Sequence, residues 1–177
     1  MKLESANVYL RPYETAYAPV LYQWFYSGEY DEYYRHCAEA YRLDDFQKYI
    51  ANPAAKIFNI FEKASNLICG MCGIYGLNLT DRSCKLMVML DKDYQGKKYM
   101  AEAIIALGNL AVVDCHIHKI QFEILETNER LKKVILNAGF QKEYTIIDGA
   151  WFDGEFKNED VFCMMEDEWR ERYYANH

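Results

Sequence analysis

Apolar and polar residues alternate along "NVYLRPYE" (residues 7–14), the period-two pattern of a half-buried strand. The apolar-rich stretch from about Tyr17 to Tyr26 predicts a helix, with Pro19 tolerated in its first turn and Gly28 ending it. "LDDFQKYI" predicts a short helix capped by Asp44 and finished before Pro53. "KIFNIFEK" and "LICGMCGIYGLN" read as hairpin strands joined by "ASN". "SCKLMVML" reads as a further strand after the turn "TDRS". A long helix then places Met100, Ile104, Leu107 and Ala111 on one face. In the strand "KIQFEILE", Ile120, Phe122 and Ile124 alternate with polar residues. Asn128 stands as the N-cap of a helix whose stripe is Leu131, Val134, Ile135 and Ala138, with Gly139 at its end. "FQKEYTII" and "DVFCMMED" read as closing strands joined by a loop with two Asp-Gly turns. The order β-α-α-β-β-β-α-β-α-β-β mixes strands and helices, so the fold class is α/β (α+β mixed), in one domain over residues 1–177.

Composition narrows the partners. The chain is 51% hydrophobic and 27% charged, which suits a packed core rather than a disordered chain. A formal charge of −7 speaks against a general nucleic-acid binder, since phosphate contacts need a basic surface, and suits a cationic partner such as an amine. No apolar run reaches membrane-spanning length and "MKLESANVYL" carries no signal-peptide core, so a cytoplasmic protein with no membrane partner is expected. The cysteines are then reduced, and Cys69, Cys72, Cys84, Cys115 and Cys163 lie in or beside apolar stretches as small hydrophobes do. Cys69 and Cys72 form C-x-x-C without a second pair, on a strand where residues three apart point to opposite faces. His116 and His118 lie two apart before a strand, and His36 has no evident companion. No metal site is expected.

Chemistry concentrates at "DKDYQGKKYMAEAI" (residues 91–104), where a strand passes into a helix. Amides at a helix N-terminus lack intrahelical acceptors, and the aligned peptide dipoles make that end positive. A glycine lets the backbone approach an anion, and lysines add charge. The junction is thus either a phosphate cradle or a solvated turn.

Four segments in order decide between these. "LRPYE", "YQGKKYMAEAI", "ETNERLKKVILNAGFQKE" and "DGAWFDGEF" together resemble the GNAT N-acetyltransferase superfamily, in its branch of ribosomal-protein N-terminal and spermidine N-acetyltransferases. The resemblance implies a central mixed, mostly antiparallel sheet of about seven strands flanked by about four helices. It also implies acetyl-CoA as cosubstrate. Its pyrophosphate would rest on the [QR]-x-x-G-x-[GA] positions, here Gln95, Gly96, Lys97, Lys98, Tyr99 and Met100. Lys98 stands at the family's central glycine and Met100 at its glycine or alanine. A lysine can offer its backbone N–H there only at negative φ. By the same resemblance the pantetheine arm pairs beside Val88, Met89 and Leu90, and Asn128 meets the arm near the thioester.

The residues that carry the family's proton chemistry are altered. Ile135 stands where spermidine acetyltransferases place a tyrosine acid, Leu131 where ribosomal relatives place a serine, and Lys85 where an acid is common. Glu123, with Asn128, is then the candidate catalytic set. Glu29, Asp31 and Glu32 in "GEYDEYY" are candidates to hold a cationic acceptor. Tyr99 and Tyr144 are candidate replacement acids. The expected function is acetyl transfer to a primary amine, either a polyamine-like small amine or a peptide N-terminus, with a homodimer as a further expected association. The alternative is a catalytically impaired acetyl-CoA-binding regulatory protein.

Overall fold

The computed structural model describes residues 3–26, 42–152 and 154–174. Its elements run β1 (Leu3–Glu4), β2 (Val8–Pro12), α1 (Ala18–Tyr26), α2 (Leu43–Ile50), β3 (Lys56–Glu62), β4 (Ile68–Asn78) and β5 (Ser83–Leu90). They continue with α3 (Tyr99–Asn109), β6 (Lys119–Leu125), α4 (Glu129–Asn137), β7 (Gln141–Phe152), β8 (Glu155–Met165) and α5 (Glu166–Tyr174). One sheet holds all the strands in the order β1-β2-β3-β4-β5-β6-β8-β7, antiparallel everywhere except between β5 and β6. The mixed α/β architecture agrees with the sequence reading, with the two-residue β1 and the helix α5 added to it.

Each face of the sheet has its own core. One cluster packs Leu10, Ile60, Cys72, Leu86 and Phe122 against Ile104 and Leu107 of α3, Ile135 of α4 and Trp169 of α5. The other packs Met71 and Met89 against Leu21 of α1 and Phe46 and Ile50 of α2. Of the stripe expected on this helix, Ile104 and Leu107 of α3 are fully buried, as is Ala111 in the π-helical turn that continues it (Leu110–Asp114), and Met100 is half-buried against the same core.

Local signals held where they are local. The Asn128 side chain accepts a hydrogen bond from the Leu131 amide at 3.0 Å, capping α4, and Gly139 ends that helix at φ +97°. Asp44 is not a cap: α2 begins one residue earlier and Arg42 precedes it without a side-chain bond, so Asp44 and Asp45 supply first-turn charge, Asp45 also facing Lys48 at 3.8 Å. The C-x-x-C pair does not straddle the sheet. Cys69 is the extra residue of a β-bulge, since Ile60 pairs with Gly70 and Phe61 with Ile68. The bulge turns Cys69 into the same core as Cys72. Burial pushes the Cys69 thiol up to about 12 and holds Cys72 well above the usual thiol range, so neither is a thiolate at neutral pH. Cys115, by contrast, is exposed and Cys163 half-buried.

The stretch read as a loop around residues 148–156 is mostly strand. β7 and β8 form one long hairpin, its first Asp-Gly absorbed by a register shift between Ile146 and Ala150 where Asp148 takes φ +51°. Trp151 and Phe156 face each other across its end, ring centroids 4.9 Å apart. No helix among the described residues is long and apolar enough to cross a membrane.

α5 is fastened near its C-terminal end by Arg172 and Tyr173, which donate to the Asn137 and Ala138 carbonyls, and at its centre by one buried side chain. Trp169 is fully buried, its indole lies over Gly108 of α3, and its Nε1–H donates to Asn109 at 3.0 Å. A Cβ on Gly108 would sit 2.1 Å from the Trp169 ring. Glycine costs about 1 kcal/mol against alanine inside a helix, so propensity alone makes Gly108→Ala stabilising. The overlap reverses that sign, and the substitution should destabilise by about 1–3 kcal/mol in a denaturant melt. An unchanged or raised midpoint would show that α5 is not seated on this glycine.

Candidate active site

The β5–β6 ladder is short. Ser83, Cys84 and Lys85 pair with Lys119, Ile120 and Gln121, and the ladder ends there. Beyond it the two strands part, and a cavity of about 420 Å³ opens between Leu86 and Val88 on one side and Phe122 and Ile124 on the other. Those side chains belong to the α3–α4 face of the sheet. The same cavity is lined by Met71, Met87 and Ile57 and by Phe25 and Ile50, which belong to the α1–α2 face. It therefore passes through the sheet, reaching Asn128 and Leu131 at the start of α4 on one side and helices α1 and α2 on the other.

Two carboxylates stand on its wall, Glu123 on β6 and Glu159 on β8. Glu123 forms an ion pair with Lys85, the last β5 residue in the ladder. Lys85 occupies the position where an acid was expected, and the carboxylate comes from the neighbouring strand instead. Glu159 is buried beside the register partner Leu125. Glu159 could not be read from chain order, because a glutamate in a polar run before a strand looks like a surface residue. Asn128 is buried at the same wall, so its cap geometry and its place at the cavity coexist.

The junction after β5 is shaped for an anion. The Asp91 side chain accepts from the Asp93 amide, Gly96 takes φ +80°, and Lys98 precedes α3 at φ −73°. Lys98 thus meets the condition that a non-glycine residue there requires. The amides from Gly96 to Met100 donate to no backbone acceptor among the described residues. They are the free N–H groups that a helix N-terminus offers a phosphate. Nothing lies within 4 Å of the position a Cβ would take on Gly96, so the glycine is required by its φ and leaves open space in front of the amides. These features fit a coenzyme A pyrophosphate.

The lysines expected to add charge are not equivalent. Lys97 lies 3.3 Å from Glu62 at the end of β3 and over the rings of Tyr94 and Tyr99, at 4.9 and 5.1 Å. Tyr99 donates its hydroxyl to the same carboxylate at 2.6 Å. Gln95 is turned inward, donating to the Leu90 carbonyl at 3.1 Å and accepting from Arg130.

Other candidates fall elsewhere. Val88 lines the cavity, while Met89 and Leu90 are buried beside it on β5. Ile135 is fully buried in the α3–α4 core and is not among the cavity residues, so the helix position where a tyrosine acid was expected points into packing. Tyr99 is committed to Glu62, and Tyr144 is exposed on β7. Tyr75 and Tyr49 are the tyrosines on the cavity wall. Glu29, Asp31 and Glu32 lie outside the described residues. His118 is 3.9 Å from Glu166 at the far end of β6, and no cluster that could hold a metal occurs among the described residues.

Glu62 holds the phosphate loop to β3. Hydrogen bonds from Ser65 and Tyr99, with Lys97 beside them, lower its carboxyl from 4.5 to about 2. Contacts of a carboxylate depressed in the folded state are complete above its unfolded value and are lost as pH falls through the folded one. Thermal stability should accordingly decline between pH 4.5 and about 2 with a share due to this residue. Glu62→Gln should flatten that decline in melts at stepped pH, and parallel curves for the two proteins would reject the role.

Comparison with known proteins agrees with this geometry. A model of the Acetyltransferase (GNAT) domain matches residues 7–141. The chain is 23% identical over 174 residues to the Bacillus subtilis (strain 168) protein named Probable N-acetyltransferase YjcK, covering 92% of this chain and 96% of that one. It is 27% identical over 118 residues to the [Ribosomal protein uS5]-alanine N-acetyltransferase of Escherichia coli (strain K12), covering 63% and 61%. Its fold superposes on spermidine N-acetyltransferase from Vibrio cholerae in complex with CoA and spermine with a TM-score of 0.80 at 16% identity, over 93% of this chain and 99% of that one. With a cavity through a split sheet, an amide cradle before α3 and a family model spanning most of its length, the chain belongs to the GNAT acetyltransferase family, whose members take the acetyl group from acetyl-CoA.

Proposed function

We propose that this acetyltransferase moves the acetyl group onto a primary amine that reaches the cavity from the α1–α2 face, with Glu123 holding that amine. The observation that carries the reading is the cavity through the sheet with Glu123 on its wall. When bound, acetyl-CoA supplies an activated thioester carbonyl. The amides from Gly96 to Met100 take the negative charge of its pyrophosphate, and Val88, Met89 and Leu90 offer main-chain groups to its pantetheine arm. The cap on α4 uses Oδ1 of Asn128, which leaves Nδ2 to orient that arm. Phe122, Ile124 and Leu131 exclude water around the reacting atoms.

Glu123 accepts the proton that the amine loses on attack, and Lys85 fixes the direction of that carboxylate. Tyr75, the register partner of Lys85 that lines the cavity, or water would supply the proton that the leaving sulfur takes up. Among the described residues the acceptor side is largely apolar and aromatic, with Phe25, Tyr49, Ile50, Ile57 and Met71. That wall suits an amine carried on an apolar body, as a peptide N-terminus is, better than a polyamine whose every ammonium needs its own anion. The relatives named for a ribosomal-protein alanine and for spermidine represent these two acceptor classes. A cytoplasmic location of the single catalytic domain accords with the free thiols at Cys69, Cys72 and Cys84.

Free-thiol release with an acceptor panel tests this. Turnover should rise with pH as the acceptor amine deprotonates, and short peptides with apolar first residues should exceed polyamines in kcat/KM. Glu123→Gln should lower kcat/KM by about 10²–10⁴-fold, the usual worth of a positioned base, while calorimetry shows unchanged acetyl-CoA affinity. A Glu123→Gln protein as fast as its parent at every pH would remove Glu123 from the mechanism. Faster polyamine than peptide turnover would reverse the acceptor assignment.

A further inference from the structure

We propose that Arg130 is the side chain that pairs with the cofactor's pyrophosphate, and that Lys97, the lysine beside the loop glycine, is a structural residue. The inference rests on the reading that the junction after β5 cradles coenzyme A. It begins with charge placed against preference. Arg130 lies in the first turn of α4, two residues after the cap Asn128, where the helix dipole repels a cation. Its guanidinium reaches the side-chain oxygen of Gln95, in the loop that leads into α3, so a second positive helix end lies beside it. Two helix N-termini thus converge on one arginine.

Nothing described neutralises that charge. Arg130 has no carboxylate within salt-bridge distance among the described residues, and its acceptor there is the neutral Gln95 amide. Gln95 is itself anchored by the Leu90 carbonyl, so it holds the guanidinium at the mouth of the loop rather than drawing it away. A guanidinium carries five N–H donors in a planar fork, and one bond to Gln95 leaves most of them for the two oxygens of a phosphate. An anion on the amides from Gly96 to Met100 would relieve three like-signed sources at once: Arg130 and the dipoles of α3 and α4.

Lys97 is in the opposite condition. Its ammonium is satisfied by Glu62 and by two aromatic faces, and Tyr99 shares the same carboxylate. Drawing Lys97 onto a phosphate would break that cluster and leave Glu62 without its cation. The glycine-lysine pair that marks the motif in sequence therefore divides its labour, with Gly96 shaping the cradle and Lys97 fastening it to β3.

Calorimetric titration of the full chain with coenzyme A, and with S-acetylpantetheine as a ligand lacking the phosphates, separates the roles. Arg130→Gln should weaken coenzyme A binding by about 10–100-fold, the range of a charge-assisted contact, and leave S-acetylpantetheine binding unchanged. Arg130→Lys should fall between Gln and the parent. Lys97→Gln should lower the melting temperature and change coenzyme A affinity by less than about threefold. The proposal is overturned if Arg130→Gln binds coenzyme A as the parent does. It is overturned too if that variant loses both ligands equally, or if Lys97→Gln loses as much coenzyme A affinity as Arg130→Gln. A parent protein that binds no coenzyme A would instead refute the cofactor site itself.

Discussion

The ending of the β5–β6 ladder at Lys85 and Gln121 is the constraint on which the rest depends. Parallel strands normally stay paired along their length and are covered on both faces. Here they separate after three residue pairs, and the space between them becomes a passage lined by side chains from both faces of the sheet. A cofactor arm on the α3–α4 side and an amine on the α1–α2 side can meet there without either crossing the core. The ion pair between Lys85 and Glu123 sits at the fork, so the last cross-strand tie and the first chemical group are the same contact.

The second constraint is electrostatic. Helices α3 and α4 begin side by side, linked through Gln95 and Arg130; each has a positive dipole end, and α3 adds unpartnered amides. The lysine beside the α3 end is already paired within the protein, where Glu62 gathers Lys97 and Tyr99 and keeps the loop against β3. The arginine at the α4 end is not, and it is held out by a neutral amide. Negative charge is therefore welcome at the place where the pyrophosphate would lie. A net charge of −7 does not oppose this, because binding responds to the local field and not to the sum over the chain.

Packing supports the same arrangement from a distance. The bulge at Cys69 turns two thiols into one core and so removes them from redox chemistry. Trp169 closes the outer side of α3 against Gly108, which holds in place the helix whose first turn forms the cradle.

Much of this was readable from residues in order, because caps, alternation and glycine turns are settled within a few positions. "SCKLMVML" is β5 to the residue, Asn128 caps α4, and Gly139 ends it. The glycine turn at Gly96 was legible for the same reason, since a glycine at a strand-to-helix junction is a local pattern with a local cause. The helix α5 was not, because Trp169 is its one buried residue and no apolar stripe announces it. The two Asp-Gly pairs within residues 148–156 hid a strand pairing that only its partner on β8 makes visible. Which carboxylate faces the cavity, which lysine is already spoken for and which arginine is left facing two helix ends depend on pairs 35 to 38 residues apart in the chain. The sequence by itself determined the elements that carry a stripe or an alternation, and the turns between them, since these follow from neighbouring dihedrals and periodicity. Only the tertiary structure decided the split between β5 and β6 and the partners of Glu123, Lys97 and Arg130, because strand register and charge pairing arise from contacts that chain order does not encode.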